Sequence, residues 1–262
     1  KLEYAQAWSV LTFADEDPEN ADNIIEIYTG NSIAKWMNGS GNQSPNPDAW
    51  NREHVWAKSH GFPNTDQWAY TDAHHLRPAD ASMNTTRSNL DFDLGGEPIE
   101  ESPINFRDED SFEPRDEVKG DVARMMFYMA TRYNGAESDN TPDLQLVTDN
   151  VTESGSPTFG NLCVLYDWHL NDAVSDAERR RNDAVYQYQG NRNPYIDFPR
   201  WANLVYGVSC GFVPTIPVIA MTGPSTIGEG QAVTIDASAS SDADGDVITY
   251  HWRQLTDELI SF

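Results

Sequence analysis

One stretch, PRDEVKGDVARMMFYMATRYNG from Pro114 to Gly135, limits the fold more than any other part of this 262-residue chain. Val118, Val122, Met125, Met126, Met129 and Tyr133 recur mostly at intervals of three and four, the period that lines them up on one stripe of an α-helix. Proline and acids stand at its start and glycine near its end, as helix termini prefer. A stripe this apolar has to be covered. Flexible thioethers fill irregular gaps between packed elements, so this helix belongs to a core, and the chain is long enough to bury one.

Around it the pattern is mixed, which predicts an α+β fold. Apolar residues from Leu2 to Phe13 keep helical spacing until the acidic turn DEDPEN breaks it. IIEIYTG, from Ile24 to Gly30, reads as a strand, and NGSGNQSPNPDAW as a surface loop that delivers the chain to Asn51. Acids, prolines and glycines from Asp91 to Glu117 predict a long irregular excursion. A second helix is expected over DAERRRNDAVYQY, its three arginines forming a solvated face. The character changes after Phe212, so two domains are expected, 1–212 and 213–262. In the second, DADGDVITYHW resembles the turn and strand of a polycystic-kidney-disease (PKD) or related immunoglobulin-like β-sandwich repeat. Only the first half of such a module is present, so the chain is expected to stop inside it. Asp242, Asp244 and Asp246 in that turn suit a structural calcium ion, with a plain solvated turn as the alternative.

The net charge is −25, with four lysines against thirteen arginines. Carboxylates at this density repel one another and repel polyanions, and salt screens that repulsion, so a saline or marine setting is expected. No run reaches the roughly 20 apolar residues of a membrane-spanning helix. No basic segment with an apolar core opens the chain, so any signal peptide is expected to have been removed. Cys163 and Cys210 are too few for a structural zinc site; they suit one disulfide in an exported protein or, alternatively, two buried thiols.

Chemistry concentrates in NREHVWAKSH (Asn51–His60) and TDAHHLRPADASMNTTRSNLDF (Thr71–Phe92). Three histidines, two arginines and two asparagines stand near the acid Glu53, a set able to cut a phosphodiester with one hard metal ion. Magnesium keeps most of its waters, so one carboxylate and one amide oxygen suffice, and Glu53 with a nearby asparagine fits. An imidazole that takes a proton from water must not be a metal ligand. In an extended strand Glu53 and His54 point to opposite faces, which lets one serve the metal and the other the water. An arginine then neutralises charge on the phosphoryl oxygens. A zinc hydrolase using His54, His60, His74 or His75 is one rival reading, although no H-E-x-x-H helix is present. A non-enzymatic adhesion protein, acting through the tail, is another.

NREHVWAKS, DAHHLRPADASMN with RSN two residues later, VKGDVARMMFYMATRY and QGNRNPYIDFP together resemble the bacterial endonuclease I family. These are secreted or periplasmic nucleases of the ββα-metal, or His-Me finger, superfamily. The resemblance runs from about Ala5 to Gly211. It implies a mostly helical nuclease domain around a ββα finger, acting on DNA or RNA with little sequence preference and leaving 5′-phosphate products; separately, a monomer is expected. It makes Glu53 and Asn84 metal ligands, His54 the general base, and Mg2+ the cofactor with Mn2+ or Ca2+ as substitutes. Asn89 and Arg87 become supporting or phosphate-facing groups. The chain lacks the insertion that carries a transition-state arginine in disulfide-rich relatives, and Arg77 is the expected replacement. His75 either contacts phosphate or packs behind the site, and Arg192 either reaches the cleft or stabilises a turn. Arg52 completes, with Arg77, Arg87 and Arg192, a local positive patch.

Overall fold

The N-terminal apolar spacing forms a helix, α1 (Gln6–Ala14), one turn later than expected. A turn at Glu3–Gln6 precedes it, closed by the Gln6 side chain accepting from the Glu3 amide at 2.8 Å. Its inner face joins Ala7 and Leu11 to Ile24, Trp50 and Leu76 in a buried cluster. Strands β1 (Glu16–Asp17), β2 (Asn20–Ile25) and β3 (Ser32–Ala34) form an antiparallel sheet in that order. The strand expected over Ile24–Gly30 instead lies earlier, sharing only Ile24 and Ile25 with β2, because the backbone turns after Ile25. The Gly30 amide bonds back to the Glu26 carbonyl at 3.0 Å, and Gly30 takes a φ of +72°, a region glycine enters without a Cβ clash.

Next come β4 (Trp50–His54) and β5 (Leu76–Asp80), paired antiparallel with Glu53 opposite Arg77 and His54 opposite Leu76. Helix α2 (Ala81–Arg87) follows at once, because the Asp80 carboxylate accepts from the amides of Ser82 and Met83 and caps it. Two strands and a short helix are thus locked together by adjacent sequence.

The segment expected to be irregular is instead ordered. It contains β6 (Asp91–Phe92), β7 (Glu97–Ile99), β8 (Ser102–Arg107) and β9 (Ser111–Glu113), a four-stranded sheet in the order β6-β9-β8-β7. Strands of two to six residues are too short to show alternation, and Pro98 and Pro103 hide the pattern further. Burial of Phe92 and Phe112 holds the sheet to the core.

The methionine stripe forms α3 (Lys119–Arg132), and all six stripe residues are buried as expected. Beyond it lie the parallel pair β10 (Gln145–Leu146) and β11 (Thr158–Phe159), then α4 (Leu162–Asn171), α5 (Asp176–Gln189), α6 (Pro194–Asp197) and α7 (Trp201–Val205). A reciprocal Ser175–Glu178 capping box starts α5. Its arginine face is only partly solvated: Arg179 and Arg180 are exposed, but Arg181 is buried and pairs with Asp15 at 2.8 Å. Cys163 and Cys210 form a disulfide across a sequence separation of 47, joining the start of α4 to the turn after α7.

This computed structural model describes residues 1–40, 46–151, 154–228, 230–244 and 248–252. The chain divides into two units, Lys1–Cys210 and Gly211–Phe262. The first is a mixture of helix and strand rather than mostly helical. In the second, backbone bridges pair Val218 with Ser241 and Thr222 with Asp236. Asp246 of the acidic turn lies outside the described residues; Asp242 accepts from the Asp244 amide at 2.9 Å, and Asp244 accepts from the Thr215 amide at 2.5 Å. Among the described residues no helix is long and apolar enough to cross a membrane.

Candidate active site

The hairpin and α2 place Glu53, His54, Asn84 and Asn89 around one cavity of about 370 Å³, together with Asn51, Arg52 and Lys58. Glu53 and His54 do diverge as the extended backbone requires, and each side chain is held by a different tyrosine. The Tyr28 hydroxyl donates to Glu53 Oε1 at 2.6 Å, and an Arg87 guanidinium nitrogen lies 3.4 Å from the same oxygen. Burial raises the Glu53 carboxyl above the usual carboxylate range, and Arg87 and Tyr28 offset part of that rise.

His54 Nε2 lies 3.0 Å from the Tyr70 carbonyl oxygen. A carbonyl only accepts, so Nε2 carries the ring proton and Nδ1 keeps the lone pair. Burial drives the imidazole well below its ordinary value, and the neighbouring His75 lowers it further. His54 is therefore neutral at neutral pH and able to accept a proton. Its ring packs edge-on against Tyr70, with centroids 4.8 Å apart, which fixes the plane.

The cavity also offers a hard-oxygen donor set. Asn84 donates Nδ2 to Asn51 Oδ1 at 2.5 Å, leaving the Asn84 amide oxygen to accept. A carboxylate with amide oxygens suits a divalent cation that keeps several waters, so the residues present fit magnesium. Among the described residues no three His, Cys, Asp or Glu side chains gather to hold a metal ion, so the zinc alternative lacks its ligand set. His60 and His74 instead place ring nitrogens against backbone carbonyls, at 2.9 to 3.0 Å.

The other expected residues separate. Arg52 sits at the cavity wall, its guanidinium 3.4 Å from the Tyr4 ring centroid and 4.1 Å from that of Trp8, and it donates to the Tyr4 carbonyl at 2.5 Å. Arg87 is fully buried and donates to the backbone carbonyls of His54 and Val55, so of its two readings the supporting one matches. Asn89 donates to the Ser154 hydroxyl at 3.0 Å.

One expectation needs correction, and two open alternatives narrow to one reading each. Arg77 does not line the cavity: it pairs with Asp15 at 2.8 Å and Asp121 at 3.4 Å, and so is committed to a buried ionic network. His75 is fully buried and bonds the Ala69 carbonyl at 2.8 Å, so it packs behind His54 rather than reaching phosphate. Arg192 pairs with Asp197 and Asp183, both at 2.7 Å, in the turn before α6.

Two features escaped the sequence reading. Lys58 is exposed at the cavity, its ammonium 3.2 Å from the Tyr70 hydroxyl. Its signal was present, as one of four lysines and four residues after His54. Tyr4 and Trp8 line the cavity from α1 and the turn before it, and nothing in the residues near His54 points to them.

Compared with known proteins, residues 1–200 match the sequence model of the family described as Endonuclease I. The chain is 50% identical over 206 residues to the extracellular ribonuclease of Bacillus subtilis (strain 168), covering 78% of this chain and 69% of that protein. It is 51% identical over 207 residues to the extracellular ribonuclease of Bacillus amyloliquefaciens, with 79% and 69% covered. A more distant relative, endonuclease-1 of Buchnera aphidicola subsp. Baizongia pistaciae (strain Bp), is 28% identical over 133 residues, with 48% and 46% covered.

Proposed function

Because the chain belongs to the endonuclease I family and is a nuclease, we propose that it is an extracellular, metal-dependent endonuclease cutting DNA and RNA by direct attack of water on phosphorus. The observation that carries the reading is the His54 ring. Its Nε2 proton goes to the Tyr70 carbonyl, so Nδ1 is the basic nitrogen, in the same cavity as Glu53 and Asn84.

In this mechanism His54 Nδ1 takes a proton from the attacking water as its oxygen bonds to phosphorus, and the bond from phosphorus to the 3′ oxygen breaks. The downstream fragment keeps the phosphate on its 5′ oxygen, and the upstream fragment leaves with a 3′-hydroxyl. Glu53 and Asn84 would hold a magnesium ion. A bound divalent cation supplies positive charge against the pentacovalent phosphate and the departing 3′ oxygen. Arg52 and Lys58, not Arg77, are the cavity cations placed to meet substrate phosphates. These groups address the backbone and not base edges, which fits low sequence preference and activity on both polymers. Two relatives named as ribonucleases support RNA as one substrate.

We further read the −25 charge as an adaptation to saline surroundings, and the tail from Val213 as the start of a β-sandwich module. The test is cleavage of plasmid and RNA with magnesium, manganese, calcium or chelator, followed by end-group analysis. We expect metal-dependent cleavage leaving 5′-phosphates. Ends bearing 3′-phosphate, or undiminished cleavage in chelator, would exclude this mechanism.

A further inference from the structure

Tyr28 lies outside the hairpin and outside α2, yet its hydroxyl reaches the carboxylate at the centre of the site. We propose that Tyr28 is a positioning residue that restricts Glu53 to one coordinating oxygen and so tilts the site toward small octahedral cations and away from calcium. The inference rests on the reading of Glu53 as a metal ligand given above.

The hydroxyl is delivered by a rigid support. Tyr28 is fully buried, its ring packs against Phe112 with centroids 4.9 Å apart, and its carbonyl accepts from Asn105 Nδ2 at 3.0 Å. Gly30 closes the turn that carries it. From that position Tyr28 donates to Glu53 Oε1 at 2.6 Å, and Arg87 approaches the same atom at 3.4 Å. Both side chains bear on one oxygen. Among the described residues no side chain is paired with Oε2; besides Tyr28 and Arg87 only the His54 backbone amide approaches the carboxylate, and we take Oε2 as the oxygen that meets a cation.

That asymmetry matters because the two common hard cations use carboxylates differently. Calcium takes six to eight oxygens at about 2.3 to 2.6 Å and readily accepts both oxygens of one carboxylate. Magnesium demands an octahedron at about 2.0 to 2.1 Å and is served by single oxygens and water. A phenol hydrogen-bonded to Oε1 weakens that oxygen as a ligand and holds the carboxylate plane still. Calcium loses a donor, whereas magnesium gains a preset one. Removing the hydroxyl frees Oε1 and lets the carboxylate rotate.

The test is calorimetric titration of metal-free wild type and Tyr28→Phe with magnesium chloride and with calcium chloride, without nucleic acid. Loss of a partner that orients a ligand costs about 10- to 100-fold in metal affinity, and we expect that loss for magnesium. Calcium affinity should hold or tighten, so the calcium-to-magnesium preference should move by at least about tenfold. An equal loss for both metals would reduce Tyr28 to a prop, and no change in either would remove its role; both outcomes overturn the proposal. Infrared difference spectra of the wild type, with the Glu53 bands assigned by Glu53→Gln, provide a check that does not depend on the variant folding. A carboxylate splitting of the one-oxygen type is expected, and a two-oxygen type overturns the proposal. Wild type that binds neither metal would refute the metal reading itself, an outcome distinct from a wild type that binds both while Tyr28→Phe binds them identically.

Discussion

Glu53 and Arg77 face one another across the β4–β5 ladder, yet their side chains serve two regions built on opposite principles. On the Arg77 side every buried charge has a close partner of opposite sign. Asp15 meets both Arg77 and Arg181 at 2.8 Å, and Arg124 grips Glu178 through two bonds of 2.5 and 2.8 Å. On the Glu53 side burial raises an acid and depresses a histidine, and the partners offset this only in part. Fully paired buried charge resists change and specifies packing, while titratable groups held away from their ordinary ionisation mark chemistry. Burial raises Glu178 as well, to about 7, despite its two bonds to Arg124, so the regions differ in the closeness of the pairing and in the neutral histidine that stands beside Glu53.

Four measurements can break or sharpen this contrast. The largest effect is expected from His54→Ala, which should lower cleavage by about 10²- to 10⁴-fold while leaving the thermal unfolding midpoint nearly unchanged. Activity above a tenth of wild type would remove His54 as the base. Arg77→Met should show the reverse pattern. It leaves Asp15 and Asp121 short of a partner in the interior and should cost about 3 to 5 kcal/mol in denaturant unfolding, with the folded fraction still cutting nucleic acid. A catalytic loss as deep as that of His54→Ala, without destabilisation, would return Arg77 to the active site.

Glu26 tests the same contrast outside both regions. Burial, with Asp80 and Glu101 nearby, raises its carboxyl from 4.5 to about 7. A raised acid binds its proton more tightly when folded. Its contribution is therefore fully present below the unfolded value of 4.5 and is lost as pH climbs through about 7. Between about pH 4 and pH 8 wild type should lose on the order of 3 kcal/mol more unfolding free energy than Glu26→Gln. Parallel stability curves for the two proteins would show that Glu26 keeps an ordinary carboxyl.

The smallest effect concerns salt. With Arg77 and Arg192 held in ion pairs, Arg52 and Lys58 line the cavity of a chain of net charge −25, where under the proposed function they would meet substrate. Sodium chloride shortens electrostatic reach from about 10 Å at 0.1 M to about 3 Å at 1 M, which mutes distant carboxylates more than contacts inside the cavity. Initial rates at fixed magnesium should rise from tens of millimolar to about 0.5 M, opposite to the fall expected for a basic nuclease. A steady fall would mean that the two cavity cations outweigh the acidic surface.

The α3 stripe and the chemistry of NREH were legible because both are local. Side-chain period follows from helix geometry, and neighbours on a strand diverge by the pleat. The four-stranded sheet in Asp91–Glu117 was not legible, since strands this short carry no period and are ordered by what Phe92 and Phe112 bury against. Burial likewise decided which of two readings each flexible side chain took. Arg77, His75 and Arg192 stand in motifs that look catalytic, but Asp15, the Ala69 carbonyl and Asp197 hold them elsewhere. By itself the sequence determined that Glu53 and His54 stand side by side and diverge along one strand, because adjacency on the backbone cannot be undone by folding. Only the tertiary structure decided what surrounds them: Tyr28, Tyr70, Tyr4, Trp8 and Lys58 meet the site through contacts that no local spacing encodes.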